Sequence, residues 1–410
     1  MEVQLLVAIA NLDQFNDFNR EVNFGLELVF LFPHESFSSA FCLCQCFFKH
    51  SGKRTATARM ARKTRFVIRC AALALFLRLL PHLFGVFRPQ QRHSTERHLR
   101  VEKEPEIRIV TTVCAGRTDE SLVMMKSALI MSSTFIRFIV LADDKSSVFL
   151  NEAIRLWPDN ILNRMSLDLR PISFPGDGHH DYWKTLFKLC SSERLFLPSL
   201  LEEVDSVLYM DVDTVFLTSP MRVWQHLGEM NEMQMVALAP EKQDYVDGWY
   251  SAFAKHPYYG KFGVNAGVML MNLTKMRQFG WEKYILGVYE QYKTRIVWGD
   301  QDLINIVFHF HPEKLYVYPC NYNYIAHQCS ETSLCKEAEQ QGIYVLHGNT
   351  EAFLNDRQPA LKAVYTSIQK HSFGDNLQML MDNMKENLMK TSNTSCGKVM
   401  NSLSKLLIET

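Results

Sequence analysis

The sequence predicts an α/β fold: a mostly parallel central sheet flanked by helices. Three observations carry the prediction. From Ile107 onward, short aliphatic runs alternate with segments of helical spacing, as in successive βαβ units. The apolar run 207–217 holds two carboxylates, Asp211 and Asp213, near its middle. Ligands of such sheets gather beyond the carboxyl ends of the strands, and an acidic pair there is in the expected place. Finally, a basic patch, an apolar run and a polar stretch precede this region, so the α/β domain follows an N-terminal single-pass anchor and a stem.

Length and composition agree with one large domain plus appendages. The chain has 410 residues, 47% of them apolar, which is ample for a core. Its formal net charge is zero, so charge gives no reason to expect a nucleic-acid partner. Ten cysteines include no Cys-x-x-Cys zinc pattern. Cys320, Cys329 and Cys335 cluster in a loop-rich stretch. They read as disulfides formed in an oxidising compartment or, alternatively, as scattered buried thiols.

Residues 1–59 have no steady hydrophobic period and read as a disordered or non-native extension, with Met60 as the working start. Residues 60–88 form a basic patch followed by an apolar run. Residues 66–87 are long enough for a bilayer crossing of roughly 20 residues, although Arg69 and Arg78 oppose it. Lys53, Arg54, Arg59, Arg62, Lys63 and Arg65 all lie on the N-terminal side. The positive-inside tendency then sends the C-terminal bulk into the lumen, a type II orientation. No small-residue cleavage site is evident, which favours an anchor over a removable signal peptide. Residues 89–105 are polar and charged, a stem.

Residues 106–375 form the expected catalytic domain. Strands are expected over 107–113, 136–142, 165–172 and 206–211, with helices over 120–131 and 148–156. Helical spacing also runs over 184–201, interrupted at Pro198. Residues 263–272 join a glycine-flanked Asn265 to an apolar strand, and Gly267 permits close backbone approach to a ligand. Residues 342–349 form a short strand ending in His347 and Gly348. From 376 the tail is helical and amphipathic. Asn272 and Asn393 open glycosylation sequons, and the tail site is the more accessible expectation.

The chemistry is sought first at the acidic pair. Burying unpaired carboxylates is expensive, so a cation should meet them. In an extended segment residues i and i+2 face one way, so Asp211 and Asp213 can reach one hard ion, Mg²⁺ or Mn²⁺, shared with substrate phosphates. Chance alone supplies about one such pair in a chain this long. A second pair, Asp300 and Asp302, opens a helical run, where i and i+2 diverge by about 200° and cannot chelate together. An Asp there is equally a helix cap. Taken alone, a strand-end histidine such as His347 is more often structural than a ligand.

In order and separation, Asp211-Val212-Asp213, Asn265-Ala266-Gly267, Gly299-Asp300-Gln301 and His347-Gly348 resemble glycosyltransferase family 8, which has the GT-A fold. Phe187-Lys188-Leu189-Cys190, Arg194-Leu195-Phe196-Leu197-Pro198, Ala239-Pro240-Glu241, His256-Pro257-Tyr258-Tyr259-Gly260-Lys261 and Leu346-His347-Gly348-Asn349 resemble the glucoside xylosyltransferases within it. That resemblance implies a retaining, secretory-pathway enzyme of the endoplasmic reticulum or Golgi. It would transfer xylose from UDP-xylose, in α-1,3 linkage, to O-linked glucose on EGF-like repeats such as those of Notch.

By the same resemblance Asp211, Asp213 and His347 would coordinate Mn²⁺, with Gly348 beside them in the donor site. Lys188 would contact the donor near its diphosphate, and Thr112, Val113 and Arg117 would lie near the nucleotide. Asn265, Asp300 and Gln301 would face the donor sugar and the reacting centre. The broader family often follows its His-Gly with a Lys before Pro-Trp. This chain has Asn349-Thr350-Glu351-Ala352-Phe353 instead, leaving Arg357 as the candidate for that phosphate contact. Two other readings keep the fold: a transferase using another UDP-hexose on a glycan or lipid, and a glycan-binding relative without catalysis.

Overall fold

The computed structural model describes residues 106–114, 116–174, 183, 186, 191–241, 249–329 and 333–403. The N-terminal extension, basic patch, apolar run 66–87 and stem lie outside the described residues, as does Lys188. Among the described residues, no helix is long and apolar enough to cross a membrane.

A seven-stranded sheet organises the domain. Its strands are β1 (Glu106–Val113), β2 (Phe135–Ala142), β3 (Met165–Pro171), β4 (Ser206–Met210), β6 (Val236–Pro240), β7 (Val264–Asn272) and β8 (Leu315–Val317). They lie in the order β3-β2-β1-β4-β7-β6-β8. All pairings are parallel except those of β7, which runs antiparallel to both β4 and β6. The sheet is thus mostly parallel, with one reversed strand. Helices α1 (Thr118–Ile130) and α2 (Asp144–Arg155) connect the first strands. The Asp143 carboxylate starts α2 by accepting from the Ser146 amide, a helix cap.

The pleat divides the core. Val207 and Tyr209 of β4 enter one apolar cluster, and Leu208 and Met210 enter the other. Alternation of this kind fixes register, because a one-residue slip would exchange the two faces. The reversal of β7 decides what meets at the sheet's functional edge. The carboxyl ends of β1, β4 and β6 point there, and so does the amino end of β7. Ala239 pairs with Asn265, and Met210 with Val268.

A second, three-stranded sheet has the order β5 (Thr214–Phe216), β10 (Val345–His347), β9 (Tyr324–Ile325). Residues 211–213 therefore do not form the extended segment expected from sequence. They make the turn by which the chain leaves β4 for a strand of the other sheet. The helical spacing of 184–201 also resolves differently. Its described part is a 3-10 segment, Ser191–Phe196, followed by the single turn Leu197–Leu200 with Pro198 at its start.

Helix α3 (Leu273–Phe279) is capped by Asn272, whose side-chain oxygen accepts from the Lys275 amide. Helices α4 (Trp281–Tyr292) and α5 (Asp300–Phe310) cover one face of the large sheet. Helices α6 (Pro359–Lys370), α7 (Leu377–Met389) and α8 (Ser395–Leu403) back the small sheet. There Leu380, Met384, Leu388 and Met400 join Val215, Leu346 and Phe353 in one buried cluster. Disulfides Cys320–Cys335 and Cys329–Cys396 pin this region, the second tying α8 to the segment after β9. Cys396 is the member that the sequence clustering left out.

Candidate active site

A cleft of about 750 Å³ opens at the functional edge of the large sheet. Asp211 and Asp213 enter it from the turn after β4. His347 enters from β10, because β10 pairs antiparallel with β5 and sets His347 opposite Thr214, the residue after Asp213. The Gly348 amide donates to the Asp213 carbonyl at 2.7 Å and holds the two segments together. Nε2 of His347 stands 3.5 Å from an Asp213 oxygen and 3.7 Å from an Asp211 oxygen. Ligand atoms of all three residues lie within 4.8 Å of one another.

These separations fit a shared cation. Two ligands each about 2.1 Å from an ion, at angles of 90–110°, stand about 3.0–3.5 Å apart. Two carboxylates and one imidazole suit Mg²⁺ or a first-row divalent ion. The site therefore has the donor set a divalent metal requires.

Arg194 anchors the acids from beneath. Only 5% exposed, it donates from Nη2 to Asp211 at 2.7 Å and from Nη1 to the Ala266 carbonyl at 2.6 Å. Its Nε reaches Asp300 at 2.8 Å, and its guanidinium lies 4.4 Å over the Tyr209 ring. Burial pushes the Asp300 carboxyl up to about 6, because the one nearby guanidinium is shared with Asp211 and only partly offsets desolvation. Arg117 grips Glu120 with two bonds, at 2.6 and 2.7 Å, and reaches Asp213 at 3.3 Å. Both flanking carboxylates keep its charge in place.

Opposite the acids lies an amide face. Nδ2 of Asn265 donates to Glu241 at 2.8 Å, and Nε2 of Gln301 reaches the same oxygen at 3.2 Å. The Ala266 amide donates to Gln301 at 3.3 Å. Glu241 follows β6, Asn265 opens β7 and Gln301 lies in the first turn of α5, so three elements converge. Gly299, with φ +59° and ψ −121°, supplies the backbone turn that starts α5, a conformation strained for any other residue. At the rim, Thr350 and Glu351 both adopt positive φ, 58° and 62°, where side-chain-bearing residues are uncommon.

Of the residues singled out from sequence, Thr112, Arg117, Asp211, Asp213, Asn265, Asp300, Gln301 and His347 all line this cleft. Val113 does not: its side chain is fully buried in the core cluster, and β1 turns its neighbour Thr112 to the cleft instead. Gly348 packs against Phe353, where an added β-carbon would come within 2.5 Å of the ring. Arg357 is exposed and lies outside the cleft lining. Sequence reasoning passed over Arg194, Glu241 and Trp298 as site residues, although all three line the cleft. A lone arginine beside the apolar Leu195-Phe196-Leu197 was the available signal for the first.

An α/β sheet carrying an acidic pair, a convergent imidazole and an amide-lined cleft at its strand ends is a GT-A-like glycosyltransferase. Comparison with known proteins narrows the class. The family model described as glycosyl transferase family 8 matches residues 186–352. Glucoside xylosyltransferase 2 of Mus musculus is 42% identical over 311 residues, covering 73% of this chain and 70% of the relative. Glucoside xylosyltransferase 1 of Danio rerio is 42% identical over 310 residues, with 73% and 76% covered. The human glucoside xylosyltransferase 1 is 41% identical over 313 residues, with 73% and 70% covered. The chain belongs to glycosyltransferase family 8.

Proposed function

We propose that this protein is a retaining xylosyltransferase that moves xylose from UDP-xylose, in α-1,3 linkage, to O-linked glucose on EGF-like repeats of the Notch type. The likeness to the glucoside xylosyltransferases, at 41–42% identity over most of their length, supports xylose as the transferred sugar and a glucoside as the acceptor. The cleft carries the chemistry. Asp211, Asp213 and His347 would hold Mn²⁺, which would supply Lewis-acid stabilisation to the departing diphosphate.

The chain's own residues do the rest. Arg117 lies beside Asp213 at the anionic end of the cleft and presents a positive charge to the nucleotide phosphates. Thr112 flanks the nucleotide, and Lys188 is assigned to the diphosphate. Asn265 and Gln301, held by Glu241, present amides to the donor sugar, whose ring gains positive charge as the bond to phosphate breaks. The acceptor hydroxyl attacks that carbon from the face the phosphate leaves, and its proton passes to the leaving phosphate oxygen. Asp300 shares the Arg194 guanidinium with Asp211 and so helps hold Asp211 in place.

A lumenal setting suits the two disulfides, which persist in oxidising compartments. On this reading the chain is a type II single-pass protein, anchored by 66–87, in the endoplasmic reticulum or Golgi. The deciding experiment incubates a glucosylated EGF repeat with UDP-xylose and Mn²⁺ and weighs the product by mass spectrometry. A pentose mass increment that disappears in Asp211→Asn supports the assignment. No increment with UDP-xylose, but one with UDP-glucose or UDP-galactose, overturns the donor.

A further inference from the structure

His347 is one end of a buried hydrogen-bonded chain whose members fix one another's orientation. Its Nδ1 lies 3.0 Å from Oδ1 of Asn323. Nδ2 of Asn323 donates to Oδ1 of Asn265 at 2.8 Å. Nδ2 of Asn265 in turn donates to Glu241 at 2.8 Å. The members are buried, with Asn323 1% exposed, His347 3%, Asn265 5% and Glu241 6%. Asn323 stands immediately before β9, which pairs in parallel with β10 and carries it alongside His347. The disulfide at Cys320 holds the same short loop.

Donor and acceptor roles propagate along this chain without freedom. A carboxylate only accepts, so Glu241 requires the amino group of Asn265. A backbone N–H only donates, and that of Gly267 points to Oδ1 of Asn265 at 2.9 Å, which fixes the same orientation independently. Oδ1 of Asn265 then requires the amino group of Asn323. That leaves the Asn323 oxygen facing His347, so Nδ1 must carry the hydrogen. In the neutral ring Nε2 then carries the lone pair, aimed between Asp211 and Asp213. In that tautomer Nε2 and the two carboxylates face one point, as ligands of one metal ion do.

We infer that Asn323 is a positioning residue for the metal site: it fixes His347 as the Nδ1–H tautomer and so presents Nε2 to the ion. The orientation reaches it from Glu241 and Gly267 through Asn265. The tautomer follows from the hydrogen-bond chain alone, and its link to metal rests on the reading of Asp211, Asp213 and His347 given above.

Two measurements on the full-length chain test it. The first is a long-range ¹H–¹⁵N correlation spectrum of ¹⁵N-histidine-labelled, metal-free protein, with His347→Gln identifying the signals of His347. At a pH where the ring is neutral its hydrogen is expected on Nδ1; a neutral ring with the hydrogen on Nε2 overturns the inference, whatever the variants do. The second is a Mn²⁺ titration followed by electron paramagnetic resonance. Asn323→Leu, similar in size but without the acceptor, should bind Mn²⁺ about 10–100-fold more weakly. Asn323→Asp keeps an oxygen against Nδ1 but sets its other oxygen against Oδ1 of Asn265, so its affinity should fall between those of Asn323→Leu and wild type. Wild-type affinity in a folded Asn323→Leu overturns the inference. Failure of the wild-type protein to bind Mn²⁺ would instead remove the metal reading and leave the tautomer result standing.

Discussion

A β-carbon on Gly267 would stand 2.6 Å from Nδ1 and 2.8 Å from Nε2 of His347. Real β-carbons do not approach other atoms so closely, so the imidazole occupies space that glycine alone leaves open at this point in β7. The carbonyl of Gly267 also accepts from the Asp211 amide at 2.8 Å, so one residue sets both Asp211 and the imidazole.

Gly267→Ala should therefore displace His347 while leaving the sheet paired. The expected result is a Mn²⁺ affinity lowered by about tenfold or more, with little change in circular dichroism. Titration of the purified variant beside wild type checks it.

Arg194 is the counter-charge for two carboxylates, and removing it strands both. Arg194→Met should destabilise the domain by about 3–5 kcal/mol, as when one partner leaves a buried ion pair. Adding Asp300→Asn should recover a substantial part, because the buried acid is then neutral. Urea denaturation of the two single variants and the double variant measures the coupling.

His256 and Asp302 give the domain a pH-dependent element behind Trp298 of the cleft lining. Nε2 of His256 lies 3.1 Å from an Asp302 oxygen, and the other Asp302 oxygen accepts from the Val297 and Trp298 amides. Burial opposes the imidazolium, but the Asp302 carboxylate outweighs it and raises the imidazole above its usual 6.5. The folded state therefore binds this proton more tightly than the unfolded chain. The resulting stability is fully present below about pH 6.5 and is lost as pH rises through the raised value. Denaturation midpoints should fall across that window in wild type and lose that component in His256→Gln.

The Cys329–Cys396 bridge closes a 67-residue separation between the small sheet and the last helix. Cys396→Ser should lower stability by about 2–5 kcal/mol and make the C-terminal helices the first part of the 106–403 region to be cleaved. Limited proteolysis followed by mass analysis locates the cut.

Several site residues were legible because their chemistry stands out locally. Two acids inside the apolar run 207–217 announce a cation, and Gly267 beside Asn265 announces close packing. Asn323 offers no comparable signal: in sequence it is one polar residue among tyrosines and asparagines, and only its burial beside His347 gives it a role. Glu241 likewise becomes visible once the reversal of β7 sets Asn265 beside the end of β6.

By itself the sequence determined the alternation of strands and helices, the mostly parallel sheet and the position of the acidic pair, because hydrophobic period and charge cost act over a few residues. The tertiary structure decided that Asp211 and Asp213 lie on a turn between two sheets, that His347 reaches them from a strand over 130 residues later, and that Arg194 meets Asp211 while Arg117 meets Asp213. Those outcomes depend on strand order and register, which arise from contacts between segments far apart in the chain and have no local signature.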